Sequence, residues 1–144
     1  MSYCTQAEVQ TDIGEARLLE LTDDAQSGSI DWTVVDEAIE GASKEIDAYC
    51  SIYYTVPFSP IPQLINNFAI AITKYRLYSR RGVPDQLQWR YEEILRTLVK
   101  IAQGKMKLGT TEDPPTQSGI EIAKASKTSE DRTFTDFILN EYTL

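Results

Sequence analysis

The residues best spaced for chemistry are the oxygen donors of DDAQSGSID. Asp23, Ser27 and Asp31 fall at the spacing of ligands in a calcium loop, with Gly28 at its sharp turn and Ile30 as the apolar residue after it. Two positions break the pattern. The third is Ala25, which has no donor, and the twelfth is Val34, where a bidentate glutamate is required. A hard cation needs about six or more oxygens, and this loop offers too few. No metal or cofactor is therefore expected, and Asp31 reads better as the N-cap of the apolar-periodic run that begins at Trp32.

Other chemistry is sparse. The chain has no histidine, which removes the usual general base and the commonest metal ligand near neutral pH. It also lacks a glycine-rich phosphate loop, a cysteine metal quartet and a nucleophile elbow. Carboxylates are plentiful, but Asp36, Glu37, Glu40, Glu45 and Asp47 lie on the polar face of a long helix pattern, where solvation explains them. An enzyme is not expected. Cys4 and Cys50 suit reduced cytosolic thiols, with Cys50 a small buried hydrophobe on an apolar helix face.

The elements that must position these residues centre on Glu45 to Arg81. Two runs of helical spacing meet at VPFSPIP, where Pro57, Pro60 and Pro62 forbid a regular element from crossing. The first arm, from Trp32 to about Tyr54, places Val35, Ile39, Ala42, Ile46, Tyr49, Cys50 and Tyr53 on one stripe. The second opens near Pro62 and places Leu64 or Ile65, Phe68, Ile72, Tyr75 and Ser79 together, ending before Gly82. Tyr54 and Tyr78 fall off these stripes and read as interface aromatics. Pro84 opens a third long helix with Leu87, Tyr91, Ile94 or Leu95, Leu98, Ile101 and Ala102 on its stripe and Gly104 as its C-cap. Thr5 and Glu8 form a capping box for a short first helix, Gly14 interrupts it, and EARLLELT continues as a second.

The expected fold is mainly α: a small bundle of three long helices braced by the short N-terminal pair. Residues 1–108 form this helical domain. Residues 109–144 form a linker and docking arm: the proline-rich GTTEDPPTQSG, a candidate short strand at IEIAKASK, and a terminal helix with Phe134, Phe137, Ile138 and Tyr142 at helical spacing. No apolar run approaches the ~20 residues of a membrane span. The opening MSYCTQAEVQ lacks the basic start and apolar run of a secretory signal, so the protein is expected to stay in the cytoplasm where it is made.

Net charge is −8, and its distribution is uneven. Residues 1–50 hold twelve acids and two bases, residues 51–108 three acids and nine bases, and residues 109–144 seven acids and three bases. Two readings stand: opposite charges meet inside the monomer, or an acidic face of one copy meets a basic face of the next, a heterologous contact that closes into rings. In the second, Asp36, Glu37 and Glu40 face Arg76, Arg80 and Arg81. Those arginines, with Lys74, also complement the C-terminal dipole of their own helix.

The stretch LTDDAQSGSIDWTVVDEAIEGASKEIDAYCSIYYTVPFSPIP, the later TKYRLYSRR and the opening YCTQAEV together resemble the Mu-like tailed-phage family of small head-to-tail connector proteins. The resemblance covers about residues 3 to 108. Ala25 departs from a family loop that is often richer in aspartate. The resemblance implies a mainly helical subunit, made in the cytoplasm of a bacterial host, that forms a ring, commonly twelve-fold, beneath the portal protein in the virion neck. The ring would complete the head and offer a surface to a tail, stopper or terminator protein. DNA would pass through its channel without sequence-specific binding, and the acidic balance suits a lining that does not hold DNA. No catalytic residue and no membrane contact is implied. The alternatives are a monomeric protein-binding helical module that engages an acidic partner, and a calcium-responsive helical protein using the loop at Asp23, Ser27 and Asp31.

Overall fold

The computed structural model describes residues 1–110. Five helices occupy them: α1 (Gln6–Ile13), α2 (Glu15–Thr22), α3 (Trp32–Cys50), α4 (Gln63–Ser79) and α5 (Asp85–Ala102), and there is no strand among the described residues. The expected mainly helical fold is the one observed. The linker, the candidate strand at IEIAKASK and the terminal helix bearing Phe134 to Tyr142 lie almost wholly outside the described residues.

Local chemistry accounts for the helix starts. Thr5 accepts the Glu8 N–H at 3.3 Å while the Glu8 carboxylate accepts the Thr5 N–H at 2.7 Å, completing the capping box. Those bonds, the backbone one first, hold the Glu8 carboxyl below its ordinary range. Gly14 ends α1 by donating to Gln10 O at 2.8 Å and begins α2 by accepting from Leu18 N at 2.9 Å. Its φ of +89° is a conformation that glycine adopts without a Cβ clash. Asp31 caps α3 by accepting the Thr33 N–H at 2.9 Å.

α3 stops earlier than its periodicity suggests. The stripe predicts helix to about Tyr54, but Cys50 is the last helical residue, and the N–H groups of Tyr53 and Tyr54 both turn back onto Cys50 O at 3.1 and 3.0 Å. The chain must reverse before Pro57, and this turn exchanges the two tyrosines. Tyr53, placed on the core stripe by spacing, is 40% exposed, whereas Tyr54, expected at an interface, is 5% exposed. The Tyr54 ring packs 5.9 Å from that of Phe58, and its hydroxyl accepts the Leu108 N–H at 3.2 Å. The elbow, whose Val56–Pro57 and Ser59–Pro60 bonds are cis, thus folds back into the core through Phe58.

α3 and α4 form the centre, packed on each other and each touching α1, α2 and α5. The buried residues of α4, Ile65, Ala69, Ala71, Ile72, Thr73 and Leu77, cover more of its circumference than one stripe. Small side chains at Ala69 and Ala71 let neighbours approach, and Ser79 is exposed instead of closing the stripe. α5 buries Ile94, Leu98 and Ile101, and the α1–α2 pair contributes Val9, Leu18 and Leu21 to the same core.

The residue that ties these parts together is Tyr3, fully buried ahead of the first helix. Its N–H donates to Ser43 Oγ at 3.1 Å, its carbonyl accepts from Asn66 Nδ2 at 2.9 Å, and its hydroxyl accepts the Phe58 N–H at 3.2 Å while donating to Asp47. One side chain and its peptide therefore join α3, α4 and the elbow.

Candidate interaction surface

The acidic run of α3 divides along its length. Asp36, Glu37 and Glu40 are exposed on the outward N-terminal half. Asp36 accepts from Gln6 Nε2 at 2.7 Å, and Glu40 pairs with Lys44 at 2.8 Å, which holds the Glu40 carboxyl below its usual range. The C-terminal half is occupied with folding. Glu45 receives Arg76 at 2.9 Å and the Tyr91 hydroxyl at 2.6 Å, and the Tyr91 ring stacks on Tyr75 with centroids 3.9 Å apart. Burial, then the Glu45 carboxylate, pushes the Tyr91 phenol up.

The cations of α4 meet carboxylates of the same chain. Lys74 pairs with Asp12 at 3.0 Å, Arg76 with Glu45, and Arg81 with Asp24 at 2.9 Å. Arg80 also pairs with Asp24 and donates to Leu21 O at 3.1 Å. The expected docking patch of Arg76, Arg80 and Arg81 thus meets carboxylates within the chain. A Cβ at Gly41 would lie 2.7 Å from Arg76 Nη1, so that glycine admits the guanidinium across α3. A lone glycine in an otherwise strong helix pattern is the signal that marks such a crossing. Arg90, Lys100 and Lys105, by contrast, form no ion pair among the described residues.

These pairs carry a measurable expectation. Asp24→Ala removes the shared partner of Arg80 and Arg81 and is expected to cost about 1 kcal/mol, the upper range for exposed pairs. The loss should shrink in roughly 1 M salt. Urea unfolding followed by circular dichroism at two salt concentrations measures both; a salt-independent loss would mean that Asp24 acts through the loop backbone instead.

The loop before α3 is built from within. Asp23 accepts the N–H groups of Ser27 at 2.7 Å and Gly28 at 2.8 Å and the Ser27 hydroxyl at 3.2 Å. These bonds, the backbone ones first, hold its carboxyl below the ordinary carboxylate range. Asp23 and Ser27 do come together, but Asp31 is committed to the α3 cap. Among the described residues no group of three or more acidic, cysteine or histidine side chains is placed to hold a metal.

Both cysteines are buried and unpaired. Burial pushes the Cys4 thiol up to about 11 and the Cys50 thiol up to about 12. Cys4 Sγ lies 3.8 Å from Thr73 Oγ1, a position that spacing alone did not reveal.

What remains on the outside is charge and apolar surface. Ile52 and Trp89 are each 63% exposed, and Tyr53 and Val99 are also open. No helix among the described residues is long and apolar enough to cross a membrane. Fold and surface together define a small helical protein built around the α3–α4 pair and fastened by internal ion pairs.

Residues 3–124 match the family described as Bacteriophage Mu, Gp36. The chain belongs to that family, and is a Mu-like phage protein. Over 91 residues it is 34% identical to the Mu-like prophage FluMu protein gp36 of Haemophilus influenzae, a match covering 63% of this chain and 64% of that protein. The aligned part is therefore just under two thirds of the relative's own length.

Proposed function

We propose that this protein is a structural subunit of the phage neck, a head-to-tail connector that acts by assembly and catalyses no reaction. Membership of the Mu Gp36 family over most of the chain is the observation that carries this reading. The outward acids Asp36, Glu37 and Glu40 support it as one side of a heterologous contact. With Arg76, Arg80 and Arg81 engaged internally, their contribution is to hold α4 against α3 and the loop, as Lys74 holds it against α1, while other cations face the next copy. Copies close into a ring, twelve-fold in this reading, on the portal protein. The ring completes the head, gives DNA a channel and receives a tail, stopper or terminator protein, so the working location is the virion neck. The arm bearing Phe134, Phe137, Ile138 and Tyr142 reaches a neighbouring subunit or the portal.

The test is co-expression of the full chain with the portal protein of its phage, read by native mass spectrometry and electron microscopy. A ring of copies seated on the portal is expected. A stable monomer indifferent to the portal, with heads that join tails normally when the gene is deleted, would overturn the reading and favour a monomeric binding module.

A further inference from the structure

The C-terminal end of α5 presents a shallow groove lined by Leu95, Arg96, Val99, Lys100, Gln103 and Lys105. Val99 is 38% exposed on its floor. Arg96 is held by Glu93 at 2.5 Å, but Lys100 and Lys105 form no ion pair among the described residues. Beside the groove the ring of Tyr53, itself exposed, stands 3.3 Å from where a Cβ of Gly104 would be, extending the apolar surface toward the elbow. An apolar floor with a cationic rim fits an acidic segment that carries an apolar stripe.

The chain itself contains such a segment. Residues 128–144 hold four acids, Glu130, Asp131, Asp136 and Glu141, against the single base Arg132. Phe134, Phe137, Ile138 and Tyr142 recur at the spacing of one helix face. The described body ends at residue 110 near the elbow, where Leu108, Gly109 and Thr110 line a groove with Pro57 and Phe58. The 17 residues from 111 to 127 span up to about 55 Å when extended, enough to leave one subunit and reach the next.

We propose that residues 128–144 of one copy dock in the α5 groove of the adjacent copy, with the acids against Lys100 and Lys105 and the aromatic stripe over Leu95 and Val99. This rests on the connector reading for the presence of an adjacent copy, and it names the surface that the arm engages. Each subunit then gives one arm and receives one, a heterologous link that propagates around a ring. Tethering makes this weak contact effective once copies are brought together, because the arm's local concentration rises steeply on assembly.

The experiment uses two full-length chains, one carrying Val99→Cys and the other Phe137→Cys, mixed in equal amounts with portal protein and oxidised. The native Cys4 and Cys50 are buried and serve as internal silent controls. The expected result is a mixed disulfide dimer as the main product, reduced at least about tenfold by Lys100→Glu with Lys105→Glu, and partly restored when Asp136→Lys and Glu141→Lys are placed on the arm. A ring on the portal without the mixed dimer would overturn the docking while leaving the connector reading in place. The mixed dimer without any ring would support the docking and overturn the connector reading. A chain carrying both substitutions that closes only an internal disulfide would place the arm on its own subunit and overturn the proposal.

Discussion

Tyr3→Ala is expected to lower the unfolding free energy by about 3–5 kcal/mol, the range for truncating a buried aromatic. That range is a large part of the ~5–15 kcal/mol that a domain of this kind has in total. The physical reason is the number of groups that meet at one side chain. Its ring lies 5.8 Å from Phe58, and removing it opens a cavity between the elbow and α3. Its hydroxyl is the acceptor for the Phe58 N–H and the donor to Asp47, so both would lose a partner. Tyr3→Phe separates the two effects. It keeps the ring and should cost only about 1–3 kcal/mol, the penalty for leaving buried polar groups unsatisfied. Urea unfolding of both variants by circular dichroism measures the difference. If Tyr3→Ala unfolded at the wild-type midpoint, the N-terminal segment would not be anchoring the bundle as described.

Alkaline pH is expected to unfold this protein cooperatively, with stability falling between about pH 9 and pH 12. Burial favours the protonated thiols of Cys4 and Cys50, raising them from the ordinary value of 9.0 to about 11 and about 12. The unfolded chain therefore loses these protons first. Because the unfolded state then binds fewer protons than the folded one, stability declines as pH rises through the gap. It is fully present below the unfolded thiol value and is lost as pH climbs through the folded values. Both thiols are buried, so at ~1.4 kcal/mol per pH unit the two rises together amount to roughly 7 kcal/mol once pH exceeds both folded values. The Tyr3 phenol, also pushed up by burial and by its bond to Asp47, adds to the loss at the highest pH. Urea midpoints from pH 8 to pH 11.5 for wild type and for Cys4→Ala with Cys50→Ala provide the check. The wild-type midpoint should fall, and the double variant should start lower and fall less. A wild-type midpoint unchanged across that range would reject the mechanism, as would rapid labelling of both thiols by an aromatic disulfide in the native protein at pH 8.

Much of the helical plan was legible in the residues. The Thr5 and Glu8 capping box, the break at Gly14 and the Asp31 cap are short-range matters, decided within four residues of the backbone groups they satisfy, whereas the stops expected before Gly82 and at Gly104 fall one or two residues early, after Ser79 and Ala102. The calcium pattern is interrupted at Ala25 and Val34, and in the fold Asp23 spends its carboxylate on the Ser27 and Gly28 amides. Periodicity was less reliable where helices end or where one helix is enclosed on several sides. It carried α3 past Cys50 and exchanged the environments of Tyr53 and Tyr54, because a reversal before Pro57 changes facing within two residues. It assigned α4 a single stripe through Ser79, although a helix with neighbours on several sides has no solvent face of ordinary width.

The candidate surface shows the same division. Composition and spacing identified Asp36, Glu37 and Glu40 as an acidic face and Lys74, Arg76, Arg80 and Arg81 as a basic cluster. Whether the cluster was available was a question about partners 31 to 62 positions away, Asp12, Glu45 and Asp24 among them. Such separations leave no local trace, and Gly41, whose missing side chain admits Arg76, was a hint that only the crossing of α3 and α4 explains.

By itself, then, the sequence determined the helical class, the punctuation of the helices, the sparse catalytic chemistry and the uneven charge, all of which depend on residue type and on neighbours a turn or less away. Only the tertiary structure decided that Tyr3 anchors the N-terminus to α3, α4 and the elbow, that the α4 arginines close internal ion pairs, and that Lys100 and Lys105 border an open apolar groove. Those outcomes depend on which distant groups the packing of α3, α4 and α5 brings within hydrogen-bonding reach, and that is set by how the whole core closes.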